Sequence, residues 1–561
     1  MATPLSTVRS VVHVDDLGIK TILSDRGISI NVDHKINEDE AKILALGYKQ
    51  ELKREFSLWS IFAVSFSVLG LLPSVASTFD YQQLVIGISP VPWIVAVLLS
   101  TTVALSLAEI ASAFPTSAAS AYAVSQLAPK KYAPFCTWIT CFSNWMASVT
   151  AAPSVDYSCA GMILALYSYN TTSYKPTTGH VYGLTTGIQV THAIISSLPT
   201  KWLALLNSAG TSFNSLGLLV VFIVILAGNK RDELHPGATK FNSSSQAWDL
   251  ENQTDFPTGF AMLMSFLGVI WAMSGYDSPF VMSEECSNAS IAVPRAIVMT
   301  AVGGGIFGWI FMFAIAYTLY DIGAISEDVD GLGQPFVLYL TQILDKNLVN
   351  LAVALTIIAG YFMGFSCMLT TSRLTYSYSR DGLFPGSRWW KVVNPVTQTP
   401  INAVWINFLV GQLLLLLMFA GDLAIGAIFS IGGIGAYVAF TMPTLFKVFY
   451  CKDFQRGPWN LGRWSTPIGM ISVFFVALMI PVLCFPYVKG SNLTLDEMNW
   501  TVLVFFGPLL LFTVWFIVDA HKWYHGPKSN IDEEDMVYNS NVIIGVESEK
   551  DCSRMSIKDS N

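Results

Sequence analysis

Charge is scarce in this chain. Its 561 residues carry 31 basic and 39 acidic side chains, 12% of the total, about half the share found in a soluble globular protein. The deficit is uneven. Residues 1–57 hold 17 of these charges and residues 521–561 hold 13, which leaves 40 for the 463 residues between them. With 53% hydrophobic residues and a mean hydropathy of +0.51, that middle section is too apolar to dissolve and too long for a single anchor. Long Lys/Arg runs are missing and the net charge is −8, which argues against a nucleic-acid partner. Paired cysteines are missing too: the eight cysteines show no CxxC spacing, so neither a disulfide frame nor a zinc site is indicated. The first 55 residues contain no apolar run, so no cleavable signal peptide is expected and the first span must direct insertion. No nucleophile–base set, metal-ligand spacing or cofactor motif stands out, so an enzyme is not expected, nor a bound cofactor or metal.

What is present is a series of apolar runs long enough to span a bilayer. They fall near 58–79, 91–113, 135–165, 181–198, 202–228, 258–281, 296–319, 349–371, 402–420, 424–446, 467–487 and 500–519. The fold class predicted is an all-α polytopic membrane protein with twelve transmembrane helices. Basic residues set its orientation. Lys49, Lys53 and Arg54 precede span one, Lys130 and Lys131 follow span two, Arg380, Arg388 and Lys391 follow span eight, and Lys447, Lys452, Arg456 and Arg463 follow span ten. All lie on one side, the predicted cytosolic side; the exception is Lys230, Arg231 and Lys240 in the loop 229–257. Sequons at Asn170, Asn242, Asn252, Asn492 and Asn499 fall in loops assigned outside, and only Asn288 falls inside. The layout predicted is a disordered cytosolic tail over 1–57, a core over 58–446, two further spans over 447–520 and a cytosolic tail over 521–561. Within the core, the two halves cover about 58–228 and 258–446.

A binding site within a bilayer needs irregular backbone, which lipid tolerates only around a protein-lined cavity. Two spans are punctuated for this. Span one reads Phe66-Ser67-Val68-Leu69-Gly70-Leu71-Leu72-Pro73-Ser74, and span six reads Trp271-Ala272-Met273-Ser274-Gly275-Tyr276-Asp277-Ser278-Pro279. Glycine lets the backbone turn and proline removes a helical hydrogen bond. Spans one and six open two five-span halves, and interrupted helices at matching places point to a transporter site between inverted repeats. Two plain proline kinks are the alternative. A break in span one exposes amides near Gly70, Leu71 and Leu72 that suit a carboxylate. Free carbonyls at Ser67–Leu69 and Trp271–Ser274, with Gly275 at the second break, suit an ammonium group. Trp271 either caps the cavity, stacks on a cation or serves as packing bulk.

Ionisable groups inside spans are costly and point to function. Asp277, within the span-six break, is the first candidate for a proton-binding carboxylate; its alternative is a cap on the half-helix that starts there. Asp156, in Pro153-Ser154-Val155-Asp156-Tyr157, can meet a substrate amine or tie a neighbouring helix. Glu109, near the cytosolic end of span two, suits a structural or gating ion pair better than substrate contact. No span carries a lysine in its middle, so a lysine replacing a coupling cation is not apparent.

These residues carry a resemblance. Leu46-Gly47-Tyr48-Lys49-Gln50-Glu51-Leu52-Lys53-Arg54-Glu55-Phe56-Ser57 running on to Gly70-Leu71-Leu72-Pro73-Ser74, then Ser154-Val155-Asp156-Tyr157, Tyr276-Asp277-Ser278, Ser283-Glu284-Glu285 and Tyr524-His525-Gly526-Pro527, look like fungal GABA permeases. More broadly the chain resembles GABA and choline-type transporters of the amino acid–polyamine–organocation superfamily, whose pattern appears as Ala108-Glu109-Ile110-Ala111-Ser112-Ala113-Phe114-Pro115-Thr116 and Ser379-Arg380-Asp381-Gly382-Leu383-Phe384-Pro385. The resemblance covers nearly the whole chain. It implies the five-plus-five inverted-repeat fold with two added spans, unwound helices one and six, and proton-driven uptake by alternating access. It also implies carboxylate binding at Gly70–Leu72, a gating role for Trp271 and an acidic gate at Asp277. Ala118-Ala119 stand where relatives usually carry Gly-Gly, and Gly70-Leu71-Leu72 replaces the usual small-Gly-small triplet.

The function expected is a proton-coupled permease for GABA or a related amino acid or amine, with the proton and the lipid bilayer as its other partners. The plasma membrane is the expected location and the vacuolar membrane the alternative. A choline, thiamine or other organic-cation carrier is the first rival, and a nutrient receptor that signals without transporting is the second.

Overall fold

The computed structural model describes residues 10–14, 20–24, 29–32 and 38–528, apart from 172, 329–330, 421, 491–492 and 495–497. The tail residues beyond 528 and the sequon at Asn492 lie outside the described residues. Helices dominate. Nine of them, among the described residues, are long and apolar enough to cross a membrane unaided. Shorter or less apolar helices at Thr178–Ser196, Thr258–Ala272 and Val502–Val518 supply spans four, six and twelve.

Span three runs over Ala133–Asn170, 38 residues against the 31 of its apolar run, and span eight over Lys346–Arg380. At 1.5 Å per residue each exceeds the ~30 Å hydrocarbon layer. Both lie at the centre of the bundle: span three packs along spans eight (Lys346–Arg380) and ten (Asp422–Phe449), while span seven (Ala289–Thr318) packs along spans one and two. Peripheral helices turn large apolar side chains outward, among them Leu219 and Ile223 of span five (Thr200–Ala227), Phe307 of span seven and Phe474 of span eleven (Ser465–Val482). Lipid-facing surface must be apolar, so the polar groups turn inward.

Span one starts at a Ser57 capping box, runs over Leu58–Leu69, breaks at Gly70 (φ 44°, ψ 61°) and resumes over Leu71–Ser77. Left-handed backbone favours glycine. The break frees the Leu69 carbonyl, which accepts from Ser74 Oγ at 2.6 Å. Span six is helical to Ala272, loses its winding over residues 273–277 with Gly275 at φ 95°, and resumes at Ser278–Val281. The two breaks face one another: Ser65 Oγ donates to the Gly275 carbonyl at 3.3 Å.

Residues 38–57, assigned from composition to a polar tail, depart from that expectation. Glu38–Ala45 is helical, Tyr48, Leu52 and Phe56 are buried against the bundle, and Phe56 forms a parallel bridge with Cys286. Upstream, Ser10–Val14, Lys20–Ser24 and Ser29–Val32 pair as a three-stranded antiparallel sheet. The side of the bundle that carries residues 38–57 is the tail face below.

The outlying charge in loop 229–257 has a structural reason. The Arg231 guanidinium is buried and donates to the Thr318 and Leu319 carbonyls at the end of span seven, so it works as a helix cap. The amide nitrogens of Asn170, Asn242, Asn252 and Asn499 are each bonded to backbone carbonyls of Leu166, Ala316, Phe256 and Leu483.

Candidate functional site

Between the two breaks lies a cavity of about 70 Å³, walled by spans one, three, six, eight and ten. Span six contributes Trp271, Ser274, Gly275, Asp277 and Ser278, and span one contributes Val68. Span three adds Asn144, Ser148 and Val155, span eight Met363, Cys367, Thr370 and Thr371, and span ten Gly432 and Phe440. Among the described residues, Asp277 is the only charged one on this wall, and no Lys, Arg or His lines it. Although it stands at the start of Ser278–Val281, its side chain makes no cap bond, and its carboxylate has no ion-pair partner among the described residues. A carboxyl group on a cavity wall that bears no cation favours a cationic solute over an anionic one.

Trp271 is 5% exposed and packs on Phe429 of span ten, ring centroids 5.3 Å apart; Phe429 in turn meets Tyr81 at 5.9 Å. Beyond this aromatic partition, away from the tail face, opens a second cavity of about 500 Å³. Tyr81, Tyr157, Phe429 and the carboxylates of Asp80 and Asp328 line it. The Asp328 oxygens accept from the Leu332 and Gly333 amides.

The other candidate residues lie outside the central cavity. Gly70, Leu71 and Leu72 are buried, and Met363 covers the break: a Cβ built on Gly70 would meet Met363 Sδ at 2.6 Å. Ser67 Oγ is bonded to Ser366 Oγ at 2.7 Å, and Ser366 also reaches Asn207 Oδ1 at 2.7 Å, a buried link between spans one, five and eight. Asp156 pairs with His192 of span four instead of facing the cavity. Glu109 holds Lys447 Nζ at 2.7 Å and Ser465 Oγ at 2.6 Å, tying span two to spans ten and eleven.

The tail face is closed by groups that had no assigned role in the sequence. Glu284 receives Arg380 through two 2.9 Å bonds and also accepts from Thr116, the Ser117 amide and the Ser117 hydroxyl. Burial alone raises the Glu284 carboxyl, but Arg380 and Ser117 outweigh it and hold it down at about 2. Arg373 pairs with Glu285 at 3.0 Å, both fully buried. The segment 48–56 straps across them: Tyr48 donates to Asp381 at 3.1 Å, Tyr376 donates to Glu51 at 2.6 Å, and Gln50 donates to the Glu284 carbonyl at 2.8 Å. Burial, partly offset by Arg380, pushes the Asp381 carboxyl up to about 6.

A mostly apolar cavity carrying one carboxylate, set at the crossing of two broken helices with ion pairs on one face and a vestibule on the other, has the architecture of a polytopic membrane transporter. The "Amino acid permease" family model matches residues 56–508. A Candida albicans protein named "Putative polyamine transporter" is 62% identical over 523 residues, 93% of this chain and 95% of that one. An amino-acid permease of Schizosaccharomyces pombe is 48% identical over 93% of this chain and 95% of its own length. One of Arabidopsis thaliana is 30% identical over 88% of this chain and 97% of its own. The chain belongs to the amino acid permease family.

Proposed function

We propose that this permease imports a small amine-bearing solute by alternating access, driven by a proton, and that a polyamine fits its cavity better than an amino acid. The observation that carries this reading is Asp277, the sole charge on the cavity wall and without a counter-ion. An ammonium group supplies that counter-ion, while a carboxylate brought into the same space meets no cation. Asp80 and Asp328 in the vestibule give a polycation a second attractive surface. The Candida albicans relative, 62% identical, carries a polyamine name.

GABA is the second reading. Its ammonium takes the same place at Asp277, and its carboxylate needs the Leu71 and Leu72 amides, which requires Met363 to withdraw from Gly70. A choline or thiamine carrier would rely on Trp271 and Phe440 as aromatic faces. Uptake of labelled spermidine, putrescine, GABA and choline in permease-deficient yeast, with and without a protonophore, separates these readings. The expected result is saturable polyamine uptake that the protonophore abolishes and Asp277→Asn removes. Uptake indifferent to Asp277→Asn sinks the assignment of the site, and uptake indifferent to the protonophore sinks proton coupling.

A further inference from the structure

One carboxylate cannot serve a cationic solute and a proton at the same time. If Asp277 held both, each would displace the other and the two would be exchanged, not carried together. Proton-driven import therefore needs a second titratable site, close enough to feel the cavity yet outside it.

Spans three, four and eight enclose such a site. His192 Nδ1 lies 3.2 Å from Asp156 Oδ1 and 3.3 Å from Oδ2, and both side chains are 0% exposed. Span eight leaves room for the pair by having a glycine there: a Cβ on Gly364 would stand 2.3 Å from Asp156 Oδ1 and 2.8 Å from His192 Cε1. Among the described residues no further charged side chain touches the pair, and the nearest carboxyl, Asp277, lies beyond Cys367. From span three the pair faces Cys159, from span four Gln189, and from span eight Cys367 and the Tyr361 ring, 4.5 Å from the imidazole. Gln189 is held in turn by Gln412 of span nine at 2.7 Å. His192 Nε2 has no hydrogen-bond partner among the described residues. Neighbours in the chain reach both cavities: Val155 lines the central one, Tyr157 and Ser158 the vestibule, and Met363 and Cys367 flank Gly364 on the central side.

We propose that Asp156 and His192 form the proton-binding site of this permease, separate from the substrate cavity, loaded from water on one face of the membrane and emptied on the other. With one proton shared between carboxylate and imidazole the pair is neutral and tolerates burial. With none it leaves a bare anion, and with two a bare cation, in surroundings that offer no compensating charge; neither is stable without water. Loss or gain of the proton therefore opens the seam between span four and spans three and eight, whose turns at Val155 and Met363 form the cavity wall. The proposal rests on the proton-driven reading above.

The test uses the full-length protein in liposomes, with labelled spermidine or GABA as probe, whichever the wild type accumulates, and an entrapped pH dye. His192→Gln, Asp156→Asn and the double variant are compared in two assays. Accumulation driven by an imposed pH gradient needs the proton site; counterflow exchange of labelled for unlabelled probe does not. The expected result is a fall in accumulation of about tenfold or more, and loss of probe-evoked acidification, with counterflow kept within about threefold. Wild-type accumulation and pH profile in the variants overturn the proposal. So does parallel loss of accumulation and counterflow, or failure of all three variants to fold, because either outcome assigns the pair a purely structural role. The double variant, with an amide on each helix, carries the reading if a single variant is not recovered. A wild type that accumulates probe without a pH gradient refutes the proton-driven reading itself, a result distinguishable from these.

Discussion

Asp277 and Gly275 stand two residues apart in the span-six break and fail differently when changed. Asp277→Asn keeps the size of the side chain and removes the charge, so folding is spared while a buried ammonium loses its partner. Uptake efficiency should fall about 100-fold, with surface abundance unchanged, since an uncompensated buried charge costs roughly 2–5 kcal/mol; Asp277→Glu should retain part of the activity. Gly275→Ala is a backbone lesion. The residue sits at φ 95°, and its new methyl group would lie 2.5 Å from Val68 Cγ1 on span one. A penalty of about 1–3 kcal/mol is expected, seen as a lower unfolding temperature in detergent as well as lost uptake. Gly303→Ala on span seven is the control, because nothing lies within 4 Å of its added carbon. Unchanged thermal stability in Gly275→Ala would falsify the claim that the break needs glycine. Both residues were legible in the sequence, because a glycine, an acid and a proline within one apolar run have few peaceful uses in a membrane helix. Met363 was not: methionine in an apolar helix is ordinary, and only the fold sets its sulfur against Gly70.

At the level of elements, the tail face is a lock assembled from three separated segments. The hairpin after span two brings Thr116 and Ser117, the turn after span six brings Glu284 and Glu285, and the end of span eight brings Arg373 and Arg380. Glu284→Gln should leave the Arg380 guanidinium buried without its counter-charge, at a cost of about 3–5 kcal/mol. The expected outcome is a population shift toward a tail-open form, read as faster labelling of a Thr370→Cys variant, made with Cys367→Ser to remove the native thiol of that wall, by a polar thiol reagent added at the tail face. An unchanged labelling rate refutes the lock.

The strap adds a pH dependence. Asp381 is raised in the folded state from 3.8 to about 6, so its contribution to stability is full below the unfolded value and is lost as pH rises through about 6. Glu284 is lowered from 4.5 to about 2; its contribution is full above 4.5 and is lost only as pH falls toward 2, outside that window. Hydrogen exchange of residues 48–56 should therefore quicken between about pH 4.5 and 6 beyond the intrinsic base catalysis and level off above that, and Asp381→Asn should flatten the excess. The spans themselves were legible, since a helix answers each of the twelve apolar runs and nine of these, among the described residues, are long and apolar enough to cross a membrane. The lock was not, for a physical reason: span eight continues nine residues past its apolar run, to Arg380, because its tail end is buried in protein and freed from the demand for apolar side chains.

Across the whole molecule, the lock, the central cavity and the vestibule lie in series, and the Trp271–Phe429–Tyr81 cluster stands between the last two. The two faces differ in kind: buried ion pairs close the tail face, whereas ring-on-ring contacts, worth about 0.5–1.5 kcal/mol beyond area burial, stand between the central cavity and the vestibule. Removal of one ring should therefore change access from one side alone. Phe429→Ala takes away the ring that touches both Trp271 and the vestibule, and should join spaces of about 70 and 500 Å³. In that background, with Cys367→Ser removing the native thiol of the same wall, a thiol reagent added on the vestibule side should reach a Ser274→Cys variant about tenfold faster or more, the factor that corresponds to ~1.4 kcal/mol of lost gating energy. Labelling from the tail face should stay slow, because Glu284, Arg380 and Arg373 are untouched. Phe440→Ala sets the control, since Phe440 lies deep in the same cavity against Tyr276 at 5.5 Å and takes no part in the partition. Equal acceleration by both variants would show general loosening of the bundle, and acceleration by Phe429→Ala alone would identify the thin gate through which solute enters.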